Sequence, residues 1–223
     1  MAGYKKEFVK MKKGSKISNA VIKRLPRYRR YLNELKRKGV DKISSRELSD
    51  LIGYTASQIR QDLNNFGGFG QQGYGYNVEA LYNEISSILG LDKEYKMVIV
   101  GAGNLGQAIA NHTSYYKAGF VVCSLFEVNP KLVGIKINDI DVRDCEELVP
   151  YIEDNSIDIG IICTTKDAAQ EVADKMSFAG VKGIWNFAAV DLEVPETVAV
   201  ENVHLSDGLH SLAYHINRNH YFE

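Results

Sequence analysis

The stretch M-V-I-V-G-A-G-N-L-G, Met97–Gly106, decides the fold. Met97–Val100 is a short apolar run bounded by glycine, the pattern of a buried strand. It enters a glycine loop made of Gly101, Ala102, Gly103, Asn104, Leu105 and Gly106, and that loop opens a helix expected from about Asn104 to Asn111. A second apolar run, Phe120–Phe126, ends at Glu127, 21 residues past Gly106. Strand, glycine loop, helix, strand and terminal acid, in that order, form a dinucleotide-binding fingerprint. Gly101 is expected to make the tight turn, Gly103 to let the backbone approach a pyrophosphate, and Gly106 to let the helix lie against the strand. The positive helix N-terminus favours the pyrophosphate. Glu127 would accept hydrogen bonds from the adenosine ribose hydroxyls and repel a 2′-phosphate. NAD(H) is therefore the expected cofactor, over NADP(H).

Downstream the alternation continues. Asp144–Glu153 reads as helix and Ile157–Cys163 as an apolar strand. Thr165 is placed to cap a helix whose face carries Ala168, Val172 and Met176 and which stops at Gly180. Val181–Trp185 and Val198–Val200 read as further strands. The expectation is an α/β, Rossmann-like, doubly wound parallel sheet over residues 91–205, after a linker at 91–95. Cys123 and Cys163 lie inside apolar strands and read as inert buried thiols. A last helix, about Ser206 to Asn219, carries Leu209, Leu212, Ala213 and Ile216 on one face. From pattern alone that face suits its own sheet or a partner subunit equally.

Upstream, the charge changes sign. The net charge of −1 hides 17 Lys and Arg against 8 Asp and Glu in residues 1–90, and 10 against 20 in the remainder. Such a division suggests two domains, one of which meets a polyanion. Six lysines fall in a basic leader, residues 1–17, expected to be flexible. The other eleven basic residues lie in patterned sequence, which favours a nucleic-acid-binding first half.

Ser18 is placed to cap a helix with Val21, Leu25, Tyr28, Leu32 and Leu35 on one face, kinked or broken near Pro26 and ended by Gly39. Ser44 with Glu47, and Thr55 with Gln58, read as capping boxes of two short helices joined through Gly53. Together these make a helix-turn-helix. With Ile59, Leu63 and Phe66 inward, Ser57, Gln58, Arg60, Gln61 and Asn64 stay on the outer faces. Arg, Gln and Asn match guanine and adenine edges in the major groove. Residues 67–76 hold five glycines with interleaved aromatics, which reads as a hairpin wing with Gln71 and Gln72 at its tip, Gly73 beside them, and Tyr74 and Tyr76 as braces. Val78, Leu81, Tyr82, Ile85, Ile88 and Leu89 form a fourth helix ended by Gly90. The winged helix-turn-helix domain thus spans 18–90, and residues 206–223 follow the sheet as a C-terminal helix.

Other classes are disfavoured. No run of about 18 apolar residues exists to span a membrane, and residues 1–16 lack the apolar region of a secretory signal. Cys123, Cys145 and Cys163 form no C-x-x-C pair and suggest a reducing cytoplasm. No metal site is expected. His204, His210, His215 and His220 gather near the C-terminus without a carboxylate to complete a set.

The chain resembles the redox-sensing transcriptional repressors called Rex, from about Ser18 to Leu212. R-L-P-R-Y-R-R-Y-L at Arg24–Leu32, Q-I-R-Q-D-L at Gln58–Leu63, F-G-G-F-G-Q-Q-G-Y-G-Y at Phe66–Tyr76, G-A-G-N-L-G-Q-A from Gly101, G-V-K-G-I-W-N-F-A at Gly180–Ala188 and V-E-N-V at Val200–Val203 carry the resemblance. It implies a homodimer in which residues 206–223, the C-terminal dimerisation helix, are exchanged and lie against the partner's DNA-binding domain. It implies binding to an inverted-repeat, double-stranded operator when NADH is low, and release when NADH is high. Arg60 and its neighbours would contact bases, and the Gly70–Gly73 wing the minor groove. The glycine loop would hold the pyrophosphate, His112, Thr165 and Ala189 would lie near the nicotinamide end, and Thr164 and Asn186 would also bind the cofactor. Four positions depart from the family pattern: Glu127 stands for a common Asp, His112 for a Tyr, Thr164-Thr165 for Val-Pro, and Ala189 for a Pro. His204 stands where an Asp often pairs with a basic residue at the position of Arg30.

Two other readings compete. A dehydrogenase would need a substrate domain, and residues 91–205 leave no room for one. A DNA-binding regulator could instead hold another nucleotide, such as a coenzyme A derivative, since fold alone does not choose.

Overall fold

Local caps set the helices of the first half. The structure, a computed structural model, describes residues 17–67, 75–112 and 114–221, excepting the side chains of 114 and 218–221. Most of the expected leader, and Gln71, Gln72 and Gly73 of the expected wing, lie outside those residues. The chain divides into two compact units, Met1–Asp92 and Lys93–Glu223.

In the first unit, α1 spans Asn19–Arg37, β1 Lys42–Ile43, α2 Ser45–Ile52, α3 Ala56–Asn64, β2 Tyr76–Asn77 and α4 Val78–Ile88. Ser18 caps α1 and both halves of the Ser44–Glu47 box close on α2. Thr55 accepts from the Gln58 N–H at 3.1 Å. The expected break at Pro26 does not occur; α1 runs through it. The missing donor lies on the solvent side, where Pro26 and Ile22 are both exposed, so the freed carbonyl has water within reach. Val21, Leu25, Tyr28 and Leu32 meet Leu48, Ile52, Ile59, Leu63, Leu81 and Ile85 in one core. Tyr76 joins that core, and β2 pairs antiparallel with β1, Tyr76 opposite Ile43.

The second unit holds β3 (Tyr95–Val100), α5 (Asn104–Ala110), α6 (Ser114–Lys117), β4 (Phe120–Glu127), β5 (Lys136–Ile137), β6 (Ile140–Asp144), a 3-10 turn (Cys145–Glu147), α7 (Leu148–Asn155), β7 (Ile159–Ile162), α8 (Lys166–Phe178), β8 (Gly183–Asn186), β9 (Ala199–Asn202) and α9 (Leu205–Tyr221). The sheet order is β5-β6-β4-β3-β7-β8-β9. Apolar side chains fill both faces: Val98, Val100, Phe126 and Ile162 meet α7 and α8, while Met97, Ile99, Leu125 and Ile161 meet α5. That is the doubly wound arrangement expected.

Three local expectations are corrected. The sheet is not wholly parallel, because β5 pairs antiparallel with β6 at one edge. Asn138 and Asp139 join them with φ of 50° and 64°, the two left-handed residues of a type I′ hairpin turn. Asp144 ends β6, so the helix expected at Asp144–Glu153 begins only at Leu148. Tyr95, placed in the linker, starts β3. The two readings of the C-terminal helix are also separated. Leu205, Leu209, Leu212 and Ile216 of α9 are each more than half exposed, so this apolar face of α9 is not laid on its own sheet.

Candidate cofactor cleft and nucleic-acid interface

The chain runs from β3 outward to β4 and β6, then returns to β7 on the other side of β3. The strand ends therefore part between Val100 and Ile162, and ligands of open α/β sheets bind at such a switch point. A cleft of about 360 Å³ opens there. Val100, Gly101, Gly103, Glu127, Val128, Leu148, Cys163, Thr164 and Thr165 line it, with Ala168, Val172 and Lys175 from α8.

Each glycine of the loop has a separate geometric reason. Gly101 has φ +100°, and a Cβ on it would meet the Cys163 carbonyl oxygen at 2.6 Å. A Cβ on Gly106 would lie 1.9 Å from the Gly101 carbonyl oxygen, whereas one on Gly103 would meet nothing within 4 Å. Gly101 and Gly106 thus hold the loop closed, while Gly103 leaves room at the cleft wall. The α5 N-terminus has no side-chain cap. A glycine wall beside uncapped helical N–H groups fits a pyrophosphate.

Glu127 is more constrained than its sequence position suggests. Its Oε2 accepts from the Ala102 N–H at 2.8 Å, and its Oε1 from Val128 and Asn129 N–H at 2.8 and 3.0 Å. A carboxylate has about four acceptor positions. Three bonds fix its place and leave capacity for a ribose hydroxyl. Ala102 is fully buried with its amide committed to Glu127, so it braces the loop rather than offering a contact. Gln107, which sequence reasoning passed over, donates to the Ala102 carbonyl at 2.8 Å and braces it from the other side.

The expected cofactor residues outside the glycine loop separate. Thr164 and Thr165 line the cleft. Thr165 occupies the N-cap position of α8 without the side-chain bond expected of it. Asn186 is fully buried: its Nδ2 donates to the Val190 carbonyl at 2.7 Å and to Asn202 Oδ1 at 2.9 Å, and its Oδ1 accepts from Ala188 N–H. It is a strut of the β8–β9 end and does not reach the cleft wall. His112 lies exposed just past α5, its ring 4.7 Å from Tyr115. Tyr115 meets Trp185 at 5.9 Å, and Trp185 meets Phe187 at 4.6 Å. His204 pairs with Asp191 at 3.3 Å.

Cys145 and Cys163 also line the cleft. Burial pushes the Cys145 thiol up to about 11 and the Cys163 thiol up to about 12. At pH 8 this holds the Cys145 thiolate about a hundredfold below that of an unburied thiol, and Cys163 lower still. Iodoacetamide at pH 8 should alkylate both at least tenfold more slowly in the folded chain than after guanidinium unfolding. Equal rates would restore sulfur as a redox element. Among the described residues no cluster of three or more His, Cys, Asp or Glu is placed to hold a metal. No helix among them is long and apolar enough to cross a membrane.

In the first unit, Ser57, Arg60, Gln61 and Asn64 share one open concavity on α3 with Asn65. Gln58 sits beside them, half-buried. The Arg60 guanidinium donates to Ser45 Oγ at 2.8 Å, which steadies it on α2. Asn65 carries no motif signal in the sequence; its Nδ2 donates to the Gln61 carbonyl at the end of the helix.

Residues 16–64 match the family described as "Putative DNA-binding protein N-terminus", and residues 92–190 the family described as "CoA binding domain". The redox-sensing transcriptional repressor Rex of Thermoanaerobacter pseudethanolicus is 59% identical over 96% of this chain and 95% of its own. The chain belongs to the Rex family. Rex of Clostridium botulinum is also 59% identical, over 93% of this chain and 99% of its own. The Rex-family repressor RSP, solved with β-NAD+ and operator DNA, superposes with a TM-score of 0.88 at 59% identity, covering 94% of this chain and 96% of that one. RSP with β-NADH gives 0.87 at 56% identity, covering 94% and 98%. Rex proteins are DNA-binding transcriptional regulators, so the dehydrogenase reading falls away.

Proposed function

We propose that the chain is a homodimeric repressor that holds an inverted-repeat operator through α3 while NADH is scarce, and releases it when NADH enters the cleft. The observation that carries this reading is one chain with both an exposed amide-rich α3 and a switch-point cleft ending in Glu127. The ligands named for the solved RSP complexes support it. In this reading Gly101, Gly103, Asn104, Leu105 and Gly106 form the pyrophosphate cradle, and Glu127 takes the ribose hydroxyls. Val128, Leu148 and Val172 offer the adenine an apolar slot. Thr164 and Thr165 present the open α8 N-terminus toward the nicotinamide side. The bound cofactor supplies a redox state to be read, and the protein supplies two arrangements that the two redox forms stabilise differently. Glu127 disfavours a coenzyme A derivative, whose ribose phosphate would face a fixed carboxylate. The same reading places the chain in the cytoplasm, with its DNA.

Gel-shift of an inverted-repeat duplex with titrated NADH and NAD+ tests the reading. NADH should release the duplex at far lower concentration than NAD+, and equal potency of the two would sink the redox assignment. Arg60→Ala should cost about 1–3 kcal/mol of operator affinity and relax one base pair. Substituting a leader lysine such as Lys12 should instead weaken binding evenly across sequences. Unchanged operator binding by Arg60→Ala would remove α3 as the reader.

A further inference from the structure

Helix α3 carries a charge that does not face outward. Asp62, flanked by Gln61 and Leu63, is 2% exposed, the only buried carboxylate or cationic side chain among the described residues. Arg24 of α1 grips it with two parallel bonds, Nε to Oδ2 at 2.6 Å and Nη2 to Oδ1 at 2.7 Å. Tyr28, one turn further along α1 and fully buried, donates to Oδ2 at 2.6 Å. The forked pair fixes the plane of the carboxylate as well as its distance. Burial, with the bond to Asp62, pushes the Tyr28 phenol well above its ordinary range, so it remains a donor at neutral pH. The Arg24 guanidinium also lies 5.9 Å from the Tyr54 ring, at the turn between α2 and α3.

A buried ion pair is weak evidence for stability, since apolar residues of similar volume often hold a core as well. An apolar contact is non-directional and lets a helix roll; three short, directed bonds do not. A roll of about 10° carries a side-chain tip at the roughly 6 Å outer radius of a helix through about 1 Å. That is enough to spoil a bidentate contact with a base edge. We propose that Arg24, Asp62 and Tyr28 form a positioning clamp that sets the rotation of α3 and so the base specificity of Arg60, Gln61 and Asn64. This rests on the reading of α3 as the DNA-contacting helix. The clamp also gives two of the quoted motifs a shared purpose: R-L-P-R-Y supplies the donors and Q-I-R-Q-D-L the acceptor.

The test uses the full chain and a duplex that the unaltered protein selects from random-sequence DNA. Fluorescence anisotropy is read on that duplex, on its single-base variants and on a scrambled duplex of equal length. Arg24→Lys and Asp62→Asn should lower the selected-to-scrambled affinity ratio tenfold or more. Scrambled-duplex affinity, its salt dependence and NADH affinity should stay within twofold. Adding Asp62→Asn to Arg60→Ala should cost little further discrimination at the base pair Arg60 reads. Tyr28→Phe keeps the ring in the core and removes one bond; it should lower the ratio by a smaller factor, and it decides the matter if the other variants do not fold. A ratio within twofold of the unaltered protein in every folded variant would overturn the clamp. So would equal losses on selected and scrambled duplexes, which would leave the triad a stabiliser only. If Arg60→Ala itself left discrimination intact, the reading of α3 would fall and the clamp with it.

Discussion

Gly106→Ala is expected to disable the second unit. The new Cβ would be driven to 1.9 Å from the Gly101 carbonyl oxygen and 3.4 Å from Ile99 Cγ2. The first is a backbone atom that cannot swing aside, so α5 must lift from β3 or the glycine loop must open. A forced clash of this kind costs on the order of 3 kcal/mol or more. Thermal unfolding should shift down sharply, and NADH binding should be lost with it. Gly103→Val makes the opposite pairing. Its Cβ meets nothing within 4 Å, so melting should be unchanged. The branched side chain nonetheless fills the space a pyrophosphate needs, and calorimetry should show NADH affinity reduced at least a hundredfold, about 2.7 kcal/mol. The repressor would then be blind to NADH while still binding DNA. Unchanged NADH affinity in Gly103→Val would end the assignment of the cleft, whatever Gly106→Ala does.

Deletion from Ser206 onward is the second large effect. Helix α9 presents Leu209, Leu212 and Ile216 to solvent at 67%, 54% and 56% exposure. In the homodimer proposed above, this apolar face lies against a second subunit. Two α3 helices held at fixed separation are needed to engage two half-sites together. Without α9 the chain should scatter light as a monomer or a loosened dimer. Operator affinity should fall at least a hundredfold, as expected when two linked contacts become one. NADH binding should survive at least weakly, because the cleft is built wholly from elements before α9. A truncated chain that stays dimeric and still releases DNA on NADH addition would refute the exchanged helix and leave the two-domain assignment standing.

Features written in local sequence were legible, and those written across the chain were not. Ser18, Ser44 with Glu47, and Thr55 announce their helices because a cap bonds within three residues. The glycine loop was equally readable, since each glycine answers to a neighbouring strand or helix. The β5–β6 hairpin escaped because its turn uses Asn138 and Asp139 without the glycine that usually marks such turns. Asp62 escaped because an acid on a short helix is expected to face water; its partners stand 38 and 34 residues away. Thr165 shows the reverse failure: the capping residue is in place, but its side chain makes no cap bond. The motif of Asn186 points it to the cofactor, whereas its partners at Val190 and Asn202 appear only once β8 and β9 lie side by side.

Trp185 is the chain's sole tryptophan. It sits half-buried on β8, edge-on to Tyr115 and tilted against Phe187. Its emission therefore reports the unit that contains it, whereas far-ultraviolet ellipticity sums the helices of both. A heating scan followed by the two optical signals distinguishes units that melt separately, whose curves diverge, from units that melt as one, whose curves coincide. The protein carries its own probe for that distinction, and no dye need be attached.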